Sequence, residues 1–188
     1  PGFLPDVPVL QRELAGLRAA TRHLDHHVGR LLDHLDQTGR DDVWVFFTTD
    51  HGISGLRAKS TLYDAGVETA LLVRGPNIAN PGRAEQCLIQ NIDLLPTYCE
   101  IAGIDTPPDV QGKSFLPLLR GEPYTPHEAI FIERNSHGVD YDPMRAVRTP
   151  THHLIHHIDP NRLADPRPDG LTPEMFHDTY DQWYNELW

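Results

Sequence analysis

Basic residues are scarce in this sequence: Lys and Arg number 16 against 27 Asp and Glu, a formal charge of −11. That balance leaves no basic face for a phosphate backbone and sets nucleic-acid binding aside. Long apolar runs are missing too. None approaches the roughly 20 residues that cross a bilayer, and no basic-then-apolar leader opens the chain at Pro1-Gly2-Phe3. The opening lacks an initiator Met and reads as mid-loop, so any targeting segment is expected upstream. Two cysteines, Cys87 and Cys99, are too few for a disulfide framework or a CxxC metal site and read as half-buried free thiols. The apolar share is 39%, below the roughly 45–50% of an average globular chain, which predicts solubility. A length of 188 residues still allows a real core.

What is present begins with a helix. From Val9 to Gln37, apolar residues fall at Leu10, Leu14, Leu17, Leu24, Val28, Leu31 and Leu35, a helical period with charges between, and Gly39 supplies the stop. Val43-Trp44-Val45-Phe46-Phe47-Thr48-Thr49 comes next, apolar throughout and rich in β-branched and aromatic residues, as expected of a strand buried on both faces of a parallel sheet. Helix, short loop and buried strand make half of a βαβ unit and predict an α/β fold. Ala70–Arg74 reads as a second strand closed by Gly75-Pro76. Residues 91–103 read as a helix capped by Asp93, with Pro96 in its first turn and Gly103 as its stop. Ala129–Glu133, Met144–Arg148 and His153–Ile155 suggest antiparallel strands of a smaller layer. The domain boundary is expected near residue 125, with 1–125 the α/β part and 126–188 the start of a smaller α+β subdomain.

The chemistry gathers at Asp50-His51-Gly52, directly after the first strand. Ligands in open α/β sheets collect at the carboxyl ends of strands. A carboxylate and an imidazole there suit a metal or an anion, and Gly52 allows the sharp turn that brings both to one cation. Alone, the pair reads equally well as a turn cap beside a surface histidine.

The order of the downstream segments carries more. Asp50-His51-Gly52 is succeeded by Arg57-Ala58-Lys59-Ser60-Thr61-Leu62-Tyr63-Asp64-Ala65-Gly66-Val67, then Asn91-Ile92-Asp93-Leu94-Leu95-Pro96-Thr97, then Gln111-Gly112-Lys113-Ser114-Phe115-Leu116-Pro117-Leu118-Leu119. Together these resemble the sulfatase family of the alkaline-phosphatase superfamily over roughly Val9 to His153. The loop at Arg57 and the stretch Asn135–Val147 look most like bacterial sulfatases of the heparan N-sulfatase, or N-sulfoglucosamine sulfohydrolase, type. The resemblance implies a partial alkaline-phosphatase-like mixed sheet flanked by helices. It further implies that Asp50 and His51 bind Ca2+, with Zn2+ or Mn2+ as alternatives because imidazole also suits them. Lys59 would contact the sulfate as a catalytic and substrate-binding group, and Glu133, His137 and Arg145 would face the sugar. Glu133 and Arg145 read equally well as a cross-strand pair. A dication and an ammonium aimed at a sulfate ester would stabilise the charge that grows on the leaving oxygen.

Such an enzyme takes its nucleophile from a formylglycine made in a Cys/Ser-x-Pro-x-Arg motif. Neither cysteine matches that pattern, nor do Ser54, Ser60, Ser114 or Ser136. The nucleophile and the remaining metal ligands are expected upstream of Pro1, and the chain alone is expected to have no turnover. The alternatives are a metal-dependent phosphodiesterase or phosphonate hydrolase of the same superfamily, or a non-catalytic remnant. The partner expected of the parent is a sulfated carbohydrate. Open sheet edges would favour a homo-oligomer; the sequence does not reveal the compartment, with a periplasmic or secreted location an option for the parent. The twelve histidines include His23, His26 and His27 on the first helix and His152, His153, His156 and His157 near the last strand. They read as solvated or stacked side chains: His152 and His156 would lie roughly 13 Å apart along a strand, and His23 and His27 share a helix face that could chelate a soft ion but sit in the pattern of an ordinary amphipathic core helix.

Overall fold

The computed structural model describes residues 8–54, 58–137 and 140–159, without the side chains of Val9, His137 and Asp140. Arg57 and the tail of the expected second subdomain, 160–188, lie outside the described residues.

Helix α1 spans Pro8–Gln37. Thr38 closes it by donating its hydroxyl to the His34 carbonyl at 2.8 Å, and Gly39 takes the left-handed φ of 63° that a side chain would resist. The leucine stripe does not meet a core as the periodicity predicts: Leu17, Leu24 and Leu31 are exposed. Among the described residues no other helix or strand packs along α1. Its C-terminal end is tied by an ion pair from Arg74 to Asp36.

Strand β1, Val45–Thr48, pairs with β2, Leu71–Arg74, in the register Val45 opposite Arg74 through Thr48 opposite Leu71. The pair is antiparallel and half-buried, with Leu72 exposed, so the expected strand buried on both faces of a parallel sheet is corrected here. Among the described residues each strand has one neighbour, which covers too little of an apolar run suited to a wider sheet. One face is filled by rings: Phe46 meets Tyr98 edge-on at 4.8 Å and Phe115 at 6.4 Å.

Tyr98 belongs to α3, Leu94–Ala102, which follows a 3₁₀ turn at Asn91–Asp93 and ends at Gly103 with φ 68°. Asp93 was expected to cap this helix, but its side chain makes no cap bond to α3. The fully buried carboxylate instead accepts from the Gln90 N–H at 2.8 Å, the Lys113 N–H at 2.8 Å and the His127 ring at 3.0 Å. Thr97 extends the network, donating to the Asp93 carbonyl at 2.7 Å and accepting from the Phe115 N–H at 3.1 Å. The two segments are thereby stitched together around Phe115 and Leu116, both wholly buried. Leu116 opens the short helix α4, Leu116–Arg120, and α2 is a single turn at Asp64–Val67.

The remaining strands form an antiparallel sheet in the order β3 (Ile130–His137), β4 (Asp140–Arg148) and β5 (His153–His157), with a register shift between Arg134 and Ser136. Period-two patterning gives it one wet face, where Phe131 and Leu154 are exposed. On the other face Met144 and Ala146 form a core with Leu62, and Val67, Ile132 and Ile155 pack against it. That core brings the segment after Asp50-His51-Gly52 onto the second sheet. Helices and strands intermix as an α/β reading requires, although both sheets within the described residues are small and antiparallel.

Candidate functional site

The end of β1 is held in a tight turn. Gly52 donates its N–H to the Gly66 carbonyl at 2.9 Å, Ile53 donates to the Ala65 carbonyl at 3.1 Å, and Lys59 donates back to the Ile53 carbonyl at 3.0 Å. Glycine is required twice for close approach. A Cβ on Gly52 would stand 2.0 Å from the Ala65 carbonyl oxygen, and one on Gly66 would stand 2.2 Å from that of Ala58. Asp50 and His51 are thus held at the rim because no room is left beneath them.

His51 Nδ1 lies 2.7 Å from the Gly52 carbonyl. A carbonyl only accepts, so Nδ1 carries the proton, and in the neutral ring Nε2 keeps its lone pair. The Asp50 carboxylate is largely exposed; its Oδ1 accepts the His51 N–H at 3.0 Å and lies 3.5 Å from His51 Nε2. The two side chains therefore offer an imidazole nitrogen fixed by a backbone bond at its far side and a solvent-facing carboxylate, the donor pair a divalent ion accepts. They fit part of a metal site. Among the described residues no group of three or more His, Cys, Asp or Glu side chains is placed to hold an ion.

Asp50 and His51 line a cleft of about 870 Å³. Its other walls are the 60–69 segment, Cys87–Ile92, the β3 residues from Ile130 to Ser136, and Arg148. Glu133 is in that wall; Lys59 and Arg145 are not among its lining residues. Glu133 stands opposite Arg145 in the β3–β4 register, and the two side chains pair at 3.4 Å on the surface. Arg145 also donates to Asn135 Oδ1 at 2.9 Å. The His137 side chain lies outside the described residues.

Several cleft residues escaped the sequence reading. Asn91 donates its amide to the Asp50 carbonyl at 3.4 Å and accepts from the Thr69 hydroxyl at 3.4 Å, tying two walls together. Asp64 gathers His153 Nδ1 at 2.8 Å and Arg148 Nε at 3.5 Å, so the α2 turn is pinned to the second sheet from 89 residues away. Ser60 adopts φ 69°, a costly conformation for a residue with a Cβ, and its hydroxyl is buried without a hydrogen bond among the described residues. Local signals existed for Asn91, Asp64 and Ser60, which stand inside the family-like segments. Cys87 also lines the cleft; burial, and then the charge of Glu85, pushes its thiol up, which makes it a poor nucleophile near neutral pH.

A rim carboxylate and imidazole stand beside a cleft, and comparison with known proteins assigns the chain to a family of hydrolases. The family described as N-sulphoglucosamine sulphohydrolase, C-terminal, matches residues 52–185. The chain belongs to that family of sulfatases and corresponds to its C-terminal part. It is similar to human N-sulphoglucosamine sulphohydrolase, 29% identical across 100% of this chain and 41% of that protein. It is also similar to an ulvan-active sulfatase of Formosa agariphila, 32% identical across 74% of this chain. The chain spans 28% of that relative's length. Among solved structures, a protein in complex with its substrate D-glucosamine-2-N,6-O-disulfate shares the fold with a TM-score of 0.65, at 23% identity over 87% of this chain and 37% of the other. A phosphonate monoester hydrolase from Silicibacter pomeroyi matches with a TM-score of 0.56, at 26% identity over 87% of this chain and 38% of that one.

Proposed function

We propose that this chain is the part of a sulfatase that supplies two metal ligands and one wall of the substrate cleft, in an enzyme that removes sulfate from a sulfated carbohydrate as an ester or sulfamate. The observation that carries the reading is the placement of Asp50 and His51 at the end of β1, over a cleft whose far wall is β3 with Glu133. Family membership supports the reaction class, and the relatives named for glucosamine and ulvan substrates support a sugar. Asp50 and His51 would hold Ca2+, with Zn2+ or Mn2+ as alternatives, and such an ion supplies electrostatic stabilisation of the departing oxygen. Glu133 and Asn135 would orient the sugar, with His137 and Arg145 as further sugar contacts on this reading. Lys59, on the loop anchored at Ile53, would contact the sulfate on this reading. On this reading the formylglycine nucleophile comes from residues outside these 188, and the chain alone does not turn over substrate.

A phosphonate or phosphodiester substrate is the second reading, favoured by the likeness to the phosphonate monoester hydrolase. The test compares desulfation of N-sulfoglucosamine and glucosamine-6-sulfate with hydrolysis of a phenylphosphonate monoester by the full-length enzyme. The sulfatase reading predicts kcat/KM higher on a sulfated sugar by several orders of magnitude and a loss of at least roughly a hundredfold in D50N, the scale of removing one group that stabilises transition-state charge. Faster turnover of the phosphonate ester, two bound zinc ions per chain, or sulfatase activity from the isolated 188 residues would overturn it.

A further inference from the structure

Outside the cleft, α1 carries His23, His26 and His27 on its solvent side. Read as sequence, these are ordinary surface histidines. The structure separates them. His23 and His27 point their Nε2 atoms at one another across a single helical turn, 3.2 Å apart, with ring centroids at 4.6 Å and planes at 80°. His26 contacts His27 only at its ring edge, with centroids at 5.5 Å.

That separation has a chemical meaning. Two imidazole nitrogens bound to one ion at about 2.0–2.1 Å lie roughly 2.9–3.4 Å apart for ligand angles between about 90° and 110°. The i, i+4 spacing is also the one by which a helix offers two histidines to one metal from a single face. The pair is solvent-exposed, so an ion can enter and complete its coordination with water. The helix backbone holds both Cα atoms in place, which limits the ordering cost to the side chains.

We propose that His23 and His27 form a two-histidine chelating site on α1 for a borderline transition-metal ion, Cu2+ first, then Ni2+ and Zn2+. Nitrogen donors follow that preference order, whereas Ca2+ and Mg2+ demand oxygen. The site is therefore distinct in chemistry and place from the Asp50–His51 rim and independent of the sulfatase reading. Both rings must carry their proton on Nδ1 to free the two Nε2 lone pairs, so the ring that donates through Nε2 shifts that proton to its own Nδ1 on ion uptake, and binding weakens in acid, where protons compete for the same lone pairs. The chain's charge of −11 favours the approach of a cation.

The test is titration of the full chain with Cu2+ at neutral pH by calorimetry, paired with electron paramagnetic resonance of the bound ion. A copper site with two imidazole nitrogens is expected. In H23Q and in H27Q its affinity should fall by roughly a hundredfold, the share of one ligand in a structural metal site, and the nitrogen pattern should drop to one. H26Q should leave both readouts unchanged. Glutamine keeps the helix propensity, and circular dichroism of each variant verifies that α1 persists. Retention of the two-nitrogen site in H23Q or H27Q, its loss in H26Q, or no copper uptake by the unaltered chain would overturn the assignment.

Discussion

Replacing Asp93 with Ala would strike the point on which the cleft wall hangs. The carboxylate is wholly buried and accepts two backbone N–H groups, of Gln90 and Lys113, together with the His127 ring. His127 retains some access to solvent and can turn to water, but the two amides would be left without an acceptor. At about 1–3 kcal/mol for each buried donor stripped of its partner, D93A should cost about 2–6 kcal/mol. A domain holds only about 5–15 kcal/mol. With a urea slope of about 1–3 kcal/mol per molar, the midpoint should fall by about 2 M at the centre of both ranges. D93N keeps one oxygen and should lose about half as much. Hydrogen exchange supplies the local check, since the Gln90 and Lys113 amides should lose protection first. The damage should also reach the site, because Asn91, the first residue of the same 3₁₀ turn, bonds the Asp50 carbonyl. A midpoint within about 0.3 M of the unaltered chain, with both amides still protected, would refute the account of Asp93 as the central acceptor.

Other contacts lead to two more outcomes. G52A must push a Cβ against the Ala65 carbonyl oxygen from 2.0 Å, so the turn should open at a cost of about 1–3 kcal/mol; a thermal-denaturation midpoint equal to that of the unaltered chain would contradict the close-packing argument. Tyr124 has its phenol pushed up to about 12 by burial, above the value near 10 of an exposed tyrosine. The folded state binds this proton more tightly than the unfolded chain, so the stability it contributes is complete below about pH 10 and drains away as pH rises towards 12. Denaturation midpoints taken from pH 8 to 11.5 in the unaltered chain and in Y124F should diverge only above pH 10.

Local chemistry was enough for the elements whose causes are local. The heptad-like leucines and Gly39 determine α1, and Gly103 with Pro96 determines α3. Alternation determines β3, β4 and β5, and the chain order from Asp50 to Leu119 carries the family. Asp50 and His51 could be placed at the end of the first strand because they open those ordered segments. Tertiary structure alone decided what depends on neighbours distant in sequence. It turned β1 into a half-covered antiparallel partner of β2, because burial is set by what lies alongside a strand and not by the strand's own composition. It moved Asp93 from helix cap to buried acceptor, since a carboxylate bonds whichever N–H groups surround it, and these come from residue 113 and a ring at 127. It joined Asp64 to His153 across 89 positions and set the Nε2 atoms of His23 and His27 3.2 Å apart, with His26 meeting His27 only at the ring edge. Spacing along the chain limits which groups can meet, but rotamers and packing in three dimensions choose among them.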